Sequence, residues 1–122
     1  MPTRGLRGAT TVADDSRDEV LSATAELLDA ILRANPSLRT DDLASALFTV
    51  TDDIASVHPA LAARQMGWDL VPMMCAREIP VAGSLPLCIR VLLHWNIDLP
   101  QSAVKHVYLR EAVKLRPDLV GK

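Results

Sequence analysis

Between Met73 and Arg90 the chain reads MMCAREIPVAGSLPLCIR, which sets a thiol (Cys75), a carboxylate (Glu78) and two guanidinium groups (Arg77, Arg90) among apolar residues of strand character. An arginine fork grips a carboxylate through two parallel N–H bonds, and a neighbouring carboxylate can accept from a hydroxyl or balance positive charge. Such a set suits the capture of an anionic ligand, or electrostatic catalysis on one. By residue type alone, alternatives stay open. Arg90 could close a structural ion pair with Glu78 or an aspartate, Glu78 could be a solvated surface acid, Arg7 could merely edge a sheet, and Cys75 could be a small buried hydrophobe. Other chemistries lack their parts: Cys75 and Cys88 form no CxxC pair, and His58, His94 and His106 form no HxxxH or HExxH pattern, so no zinc ligands are visible. No histidine adjoins Cys75 in sequence to activate it as a nucleophile.

The elements that would carry these groups can be read from periodicity. RGATTVA, Arg7 to Ala13, is β-branched and predicts a strand. Ser16 followed by Glu19 is a capping-box arrangement that opens a long helix, with Val20, Leu21, Leu27, Leu28, Ile31 and Leu32 on its apolar face and Asn35-Pro36 at its end. TDDL (Thr40 to Leu43) suggests a short helical turn and ALFTVT (Ala46 to Thr51) a strand. HPALAARQMG reads as a short helix with Pro59 at its start and Gly67 as its C-terminal cap. A strand at Val71 to Ala76, a turn-rich link at IPVAGSLP and a strand from Leu87 to Ile97 follow. In this last strand the odd positions are uniformly apolar while the even ones read Cys88, Arg90, Leu92, His94 and Asn96, so one face packs on the helix and the other meets something mixed. KHVYLRE repeats the device with Val107 and Leu109 opposed to His106, Tyr108 and Arg110. The reading is α+β: about five strands in a mixed sheet with one long and one short helix.

The 122 residues suit a single domain over 1–122, and no repeat, low-complexity segment or linker interrupts them. With 49% hydrophobic residues and a mean hydropathy of +0.16, the surplus apolar surface is expected to cover a subunit interface. Thirteen basic against fifteen acidic residues, without a basic block, argue against nucleic acid as a partner. MPTRGLRGATTV lacks the apolar core of a signal peptide, and no apolar run approaches the roughly 20 residues of a membrane helix. A cytoplasmic protein with reduced thiols and no membrane partner is expected. Ten arginines against three lysines fit a carboxylate-rich ligand, or equally a genome biased towards arginine codons.

The order RGLRGATTV, PMMCAREI, CIRVLLHWN, HVYL and LRPDL resembles the small monofunctional chorismate mutases of the bacterial homotrimeric α+β type, over nearly the whole chain. The resemblance implies a homotrimer with sheets packed around a three-fold axis as a pseudo-barrel, and active sites between neighbouring chains. It implies a cofactor-free, metal-free rearrangement of chorismate to prephenate, in phenylalanine and tyrosine biosynthesis. Carried over residue by residue, it implies ligand contacts from Arg7, Met73, Met74, Cys75, Glu78, Arg90, Tyr108 and Leu115 of one chain, and from His58, Ala60, Leu61 and Arg64 of the neighbour. Arg116, near the tail, would draw in or cover the substrate. Arg90 would face the ether oxygen, Arg7 and Tyr108 the enolpyruvyl carboxylate, and Glu78 the ring hydroxyl with Cys75 beside it. Cys88, His94 and His106 would line the channel between subunits, and the closing LVGK would fray. His58 stands where an aromatic such as Phe is expected, and Leu61 where some relatives carry a lysine. Two rival readings are a trimeric module that binds a carboxylated metabolite without turnover, which has no need of Glu78, and a small trimeric enamine or imine hydrolase, which needs a positioned water.

Overall fold

In the computed structural model, which describes residues 1–115, the alternating segment Cys88–Asn96 is the central strand of a five-stranded sheet. The strands are β1 (Thr3–Thr11), β2 (Leu43–Val50), β3 (Met73–Arg77), β4 (Cys88–Asn96) and β5 (Val107–Tyr108), in spatial order β3-β2-β4-β1-β5. β4 is antiparallel to both of its neighbours, whereas the outer pairs β1–β5 and β2–β3 are parallel, so the sheet is mixed as expected.

One face of this sheet is covered by α1 (Arg17–Ala34). Ser16 caps it by accepting from the Glu19 N–H, but the Glu19 carboxylate reaches the Ala13 N–H at 2.7 Å, so the box is not reciprocal. The buried stripe is Val20, Ala23, Thr24, Leu27, Leu28 and Ile31, a run at three- and four-residue spacing. Leu21 and Leu32, expected on it, lie at its margins. Leu27, Leu28 and Ile31 pack on Leu6, Phe48, Val91, Leu93 and Trp95 from the strands. Gly8 lets the layers approach: a Cβ there would stand 2.7 Å from the Ile31 Cδ1. Asn35 ends the helix and clamps Lys105, donating to its carbonyl and accepting from its N–H, both at 2.9 Å. That clamp carries the chain into β5.

The short helix α2 (Ala60–Gln65) follows Pro59, and Gly67 takes φ +92° just beyond it. The TDDL turn is a 3₁₀ turn at Thr40–Asp42. Some boundaries differ from the sequence reading. β1 begins at Thr3, not Arg7, because it pairs with β4 residue by residue from Thr3 opposite Asn96 to Thr11 opposite Cys88. The KHVYLRE strand shrinks to two residues, since Arg110 turns to φ +52° and a 3₁₀ turn over Arg110–Lys114 follows. The Arg110 side chain holds that turn by donating to the Thr11 carbonyl, Glu19 and Glu26 at 3.0 to 3.3 Å. No helix among the described residues is long and apolar enough to cross a membrane.

Candidate active site

Strand pleating sorts the side chains into a helix-facing set and an open-face set. Arg7, Ala9, Thr49, Arg90 and Leu92 share the open face, and Tyr108 pairs alongside Ala9. They surround a cavity of about 300 Å³ that Glu78 closes from the end of β3. This volume lies at the lower end of small-ligand pockets, roughly 300–1,000 Å³. Ala9 makes the space. It stands between Arg90 on β4 and Tyr108 on β5, and a longer side chain there would fill the gap.

The electrostatics of this cavity are unusual for a resting surface. Arg90 and Glu78 are both mostly shielded, with 32% and 26% of their side chains exposed, yet the Arg90 Nε stays 3.5 Å from the Glu78 Oε2. Neither the buried Arg90 Nε nor the buried Tyr108 Oη has a hydrogen-bond partner among the described residues. A third such atom, Trp95 Nε1, belongs to the core on the helix side. Buried polar atoms normally find partners, so an unpaired atom on each of two residues that line one cavity makes this cavity the candidate place for a ligand's acceptors. Thr49 donates its hydroxyl proton to the Glu78 Oε2, and the Glu78 N–H is tied to the Val50 carbonyl at 2.9 Å. Cys88 lies buried beside Arg90. Burial pushes its thiol up, against the opposing pull of the guanidinium, so it adds no negative charge next to Arg90 at neutral pH.

Supporting contacts fix the frame. The Arg7 N–H donates to the His106 Nδ1 at 3.0 Å, which leaves that imidazole's proton on Nε2 when it is neutral. His94 meets the Ser45 hydroxyl at 2.9 Å. Asp53 accepts from the Thr51 hydroxyl and from the Leu87 N–H, stabilising Leu87 at φ +50° where the chain turns into β4. Leu115 packs against the group formed by Ala9, Tyr108 and Ala112. A cavity of about 220 Å³ continues on the far side of the Glu78–Arg90 pair, walled by the 79–86 loop.

The structure therefore brings Arg7, Glu78, Arg90 and Tyr108 together, with Leu115 adjoining. Cys75 lies elsewhere. It pairs with Phe48 on the helix-facing side of β3 and lines a separate cavity of about 260 Å³ with His58 and Arg77. Within one chain it is therefore not a neighbour of Glu78 in the Arg90 cavity, contrary to the expectation, because residues 75 and 78 project from opposite faces. Met73 packs on the core and Met74 is 72% exposed on the open face, the opposition that adjacent strand positions impose. Ala60 is buried in the core, Leu61 is half-buried, and Arg64 is exposed in the last turn of α2. Arg116 and the LVGK tail lie outside the described residues. Sequence reading passed over Thr49, although its spacing from Leu47 along β2 could have placed it on the open face.

Comparisons with known proteins agree over the chain. The family model for chorismate mutase type I matches residues 3–119. A Thermus thermophilus protein named chorismate mutase AroH is 56% identical over 116 residues, covering 95% of both chains. A Bacillus subtilis (strain 168) protein of the same name is 43% identical over 120 residues, covering 98% of this chain and 94% of that one. The solved structure of a chorismate mutase from Clostridium thermocellum (Cth-682) superposes with a TM-score of 0.86 at 47% identity, covering 88% of this chain and 96% of the other.

Proposed function

The chain belongs to the chorismate mutase type I family, and from that premise we propose how its own residues perform the rearrangement of chorismate to prephenate. The chain is an isomerase of aromatic amino acid biosynthesis, acting as one domain, and its two free thiols fit a reducing cytoplasm. The reaction breaks an ether C–O bond while a C–C bond forms, in one step and without proton transfer. Negative charge gathers on the ether oxygen and partial positive charge on the ring. A rate gain of about 10⁶ corresponds to about 8 kcal/mol of preferential stabilisation of that charge distribution.

Arg90 supplies most of it. Its unpaired Nε is already desolvated in the cavity, so donating to the ether oxygen requires little reorganisation as charge appears. Arg7 and the Tyr108 hydroxyl take the enolpyruvyl carboxylate and hold the dianion in its compact, reactive conformer. Glu78 accepts from the ring hydroxyl and faces the ring's positive charge. That Arg90 and Tyr108 line one cavity and each carries a buried polar atom without a partner among the described residues is the observation that supports this assignment.

The second wall comes from a sister chain. The open face still exposes Met74, and the loop beside it exposes Ile79 and Val81, apolar surface that a homotrimer around a three-fold axis would cover. Since His58 and Cys75 share a cavity separate from that of Arg90, we assign both to the contribution of the neighbouring chain, together with the nearby chain positions Met73, Ala60, Leu61 and Arg64; Arg116, which the resemblance gives to substrate capture, lies outside the described residues. Purified protein mixed with chorismate alone should remove its ultraviolet absorbance far faster than the spontaneous rate. Binding without turnover would instead support a metabolite-sensing module.

A further inference from the structure

We propose that Thr49 is a positioning residue that keeps the Glu78–Arg90 pair open for the substrate; the inference rests on the assignment of Arg90 and Glu78 to the ligand. An arginine and a carboxylate left to themselves in a shielded site close to about 2.7–2.9 Å, commonly through two parallel hydrogen bonds. Here they do not. The closest approach is 3.5 Å, between the Arg90 Nε and the Glu78 Oε2, and the Nε has no hydrogen-bond partner among the described residues. The Glu78 oxygen nearest the guanidinium is the one that already accepts the Thr49 hydroxyl proton.

Geometry makes this restraint rigid. Thr49 lies on β2, opposite Arg90 of β4 and opposite Ala76 of β3, so all three strands meet at this point. Its β-branched side chain has few rotamers, and its hydroxyl meets Glu78 on the open face that Arg90 shares. Glu78 is further held by its N–H to the Val50 carbonyl at 2.9 Å, one residue beyond Thr49. The carboxylate is thus anchored to a central strand at backbone and side chain. Without the hydroxyl, Glu78 would close on Arg90 and satisfy the Nε meant for the ether oxygen. Each incoming dianion would then have to reopen an ion pair, and only the open fraction of the enzyme would bind.

The expected signature is a division between kinetic constants. Thr49→Val should raise KM by about tenfold or more while kcat stays within about threefold, because the closed pair competes with binding and not with the rearrangement. The dissociation constant of a bicyclic dicarboxylate shaped like the transition state should rise by the same factor. Thr49→Ser, which keeps the hydroxyl, should restore both values. In a Glu78→Gln background, where no ion pair can close, Thr49→Val should leave the affinity for the bicyclic compound unchanged within about twofold. Thr49→Ala serves the same comparison if the valine variant does not fold. Unchanged KM in Thr49→Val, failure of Thr49→Ser to restore it, or an equal loss in the Glu78→Gln background would each overturn the inference. A wild-type protein without mutase turnover would instead sink the assignment on which it rests.

Discussion

At the scale of the residue, we assign the ether oxygen to a single guanidinium, because the chemistry asks for charge stabilisation and needs no proton transfer. Arg90→Ala should lower kcat by several orders of magnitude while circular dichroism and thermal unfolding stay near wild type, since the Arg90 Nε has no hydrogen-bond partner among the described residues. Arg90→Lys should recover only part of the rate, because an ammonium offers a point charge without the planar fork. Activity within tenfold of wild type in the alanine variant would assign the ether oxygen to another donor. Much of this site was legible in the chain. Alternation along β4 put Arg90 on the polar face, and the same parity argument put Tyr108 with it. Cys75, three positions from Glu78, falls on the opposite face by pleating alone; what the chain did not disclose was which of those faces meets the helix, since that depends on how β3 pairs with β2, a non-local fact. Thr49 escaped for a similar reason: its role arises from being opposite Arg90 in the sheet, 41 positions away in the chain.

At the scale of the element, β1 places Arg7 and β5 places Tyr108, and both depend on how closely α1 lies on the sheet. Gly8 sets that approach, with a hypothetical Cβ 2.7 Å from the Ile31 Cδ1 and 3.2 and 3.3 Å from Val91 and Leu27. Gly8→Ala should destabilise the fold by about 1–3 kcal/mol through overpacking, measured by denaturant titration. An unchanged midpoint would mean that α1 can lift at little cost. The loop before His58 has its own anchor. Asp15 accepts from the N–H groups of Ala55 and Ser56 at 2.9 and 3.1 Å, and bonds from Ser56 and Ala55 hold its carboxyl below the ordinary carboxylate range. A lowered folded-state pKa means that its stabilisation is complete above the unfolded value of about 4 and is lost as pH falls through the lowered value. Asp15→Asn should therefore flatten part of the acid-side decline in thermal stability while leaving stability at neutral pH slightly lower; parallel acid limbs would remove Asp15 from the account. The periodicity of α1 and β4 announced these elements, whereas the first four residues of β1 did not. Arg4 and Gly5 interrupt the strand preference of Thr3, and the four residues from Thr3 to Leu6 become strand by pairing with Asn96, Trp95, His94 and Leu93.

At the scale of the whole molecule, one chain presents two separate cavities, the Arg7–Arg90–Tyr108 cavity on the open face and, behind β3, the His58–Cys75 cavity, and the proposed function makes each of them half of a site. A ring of chains resolves this if each presents its second cavity to the first cavity of the next, which a cyclic assembly does and a lone subunit cannot. Light scattering should then give three times the 13.3 kDa chain mass. Shared sites make a sharper prediction than mass alone. Arg90→Ala removes the group at one wall, and Arg64→Ala removes positive charge from the other, so either variant alone disables every site to the extent its residue matters. In trimers reassembled from an equal mixture, a site is intact only where an Arg90-bearing chain meets a neighbour that keeps Arg64, an arrangement expected in roughly a quarter of sites. Activity after denaturing and refolding the mixture should exceed the mean of the two variants refolded separately, approaching that fraction of wild type. If the mixture gives only that mean, both arginines serve a pocket within a single subunit, and the sister chain contributes burial without chemistry.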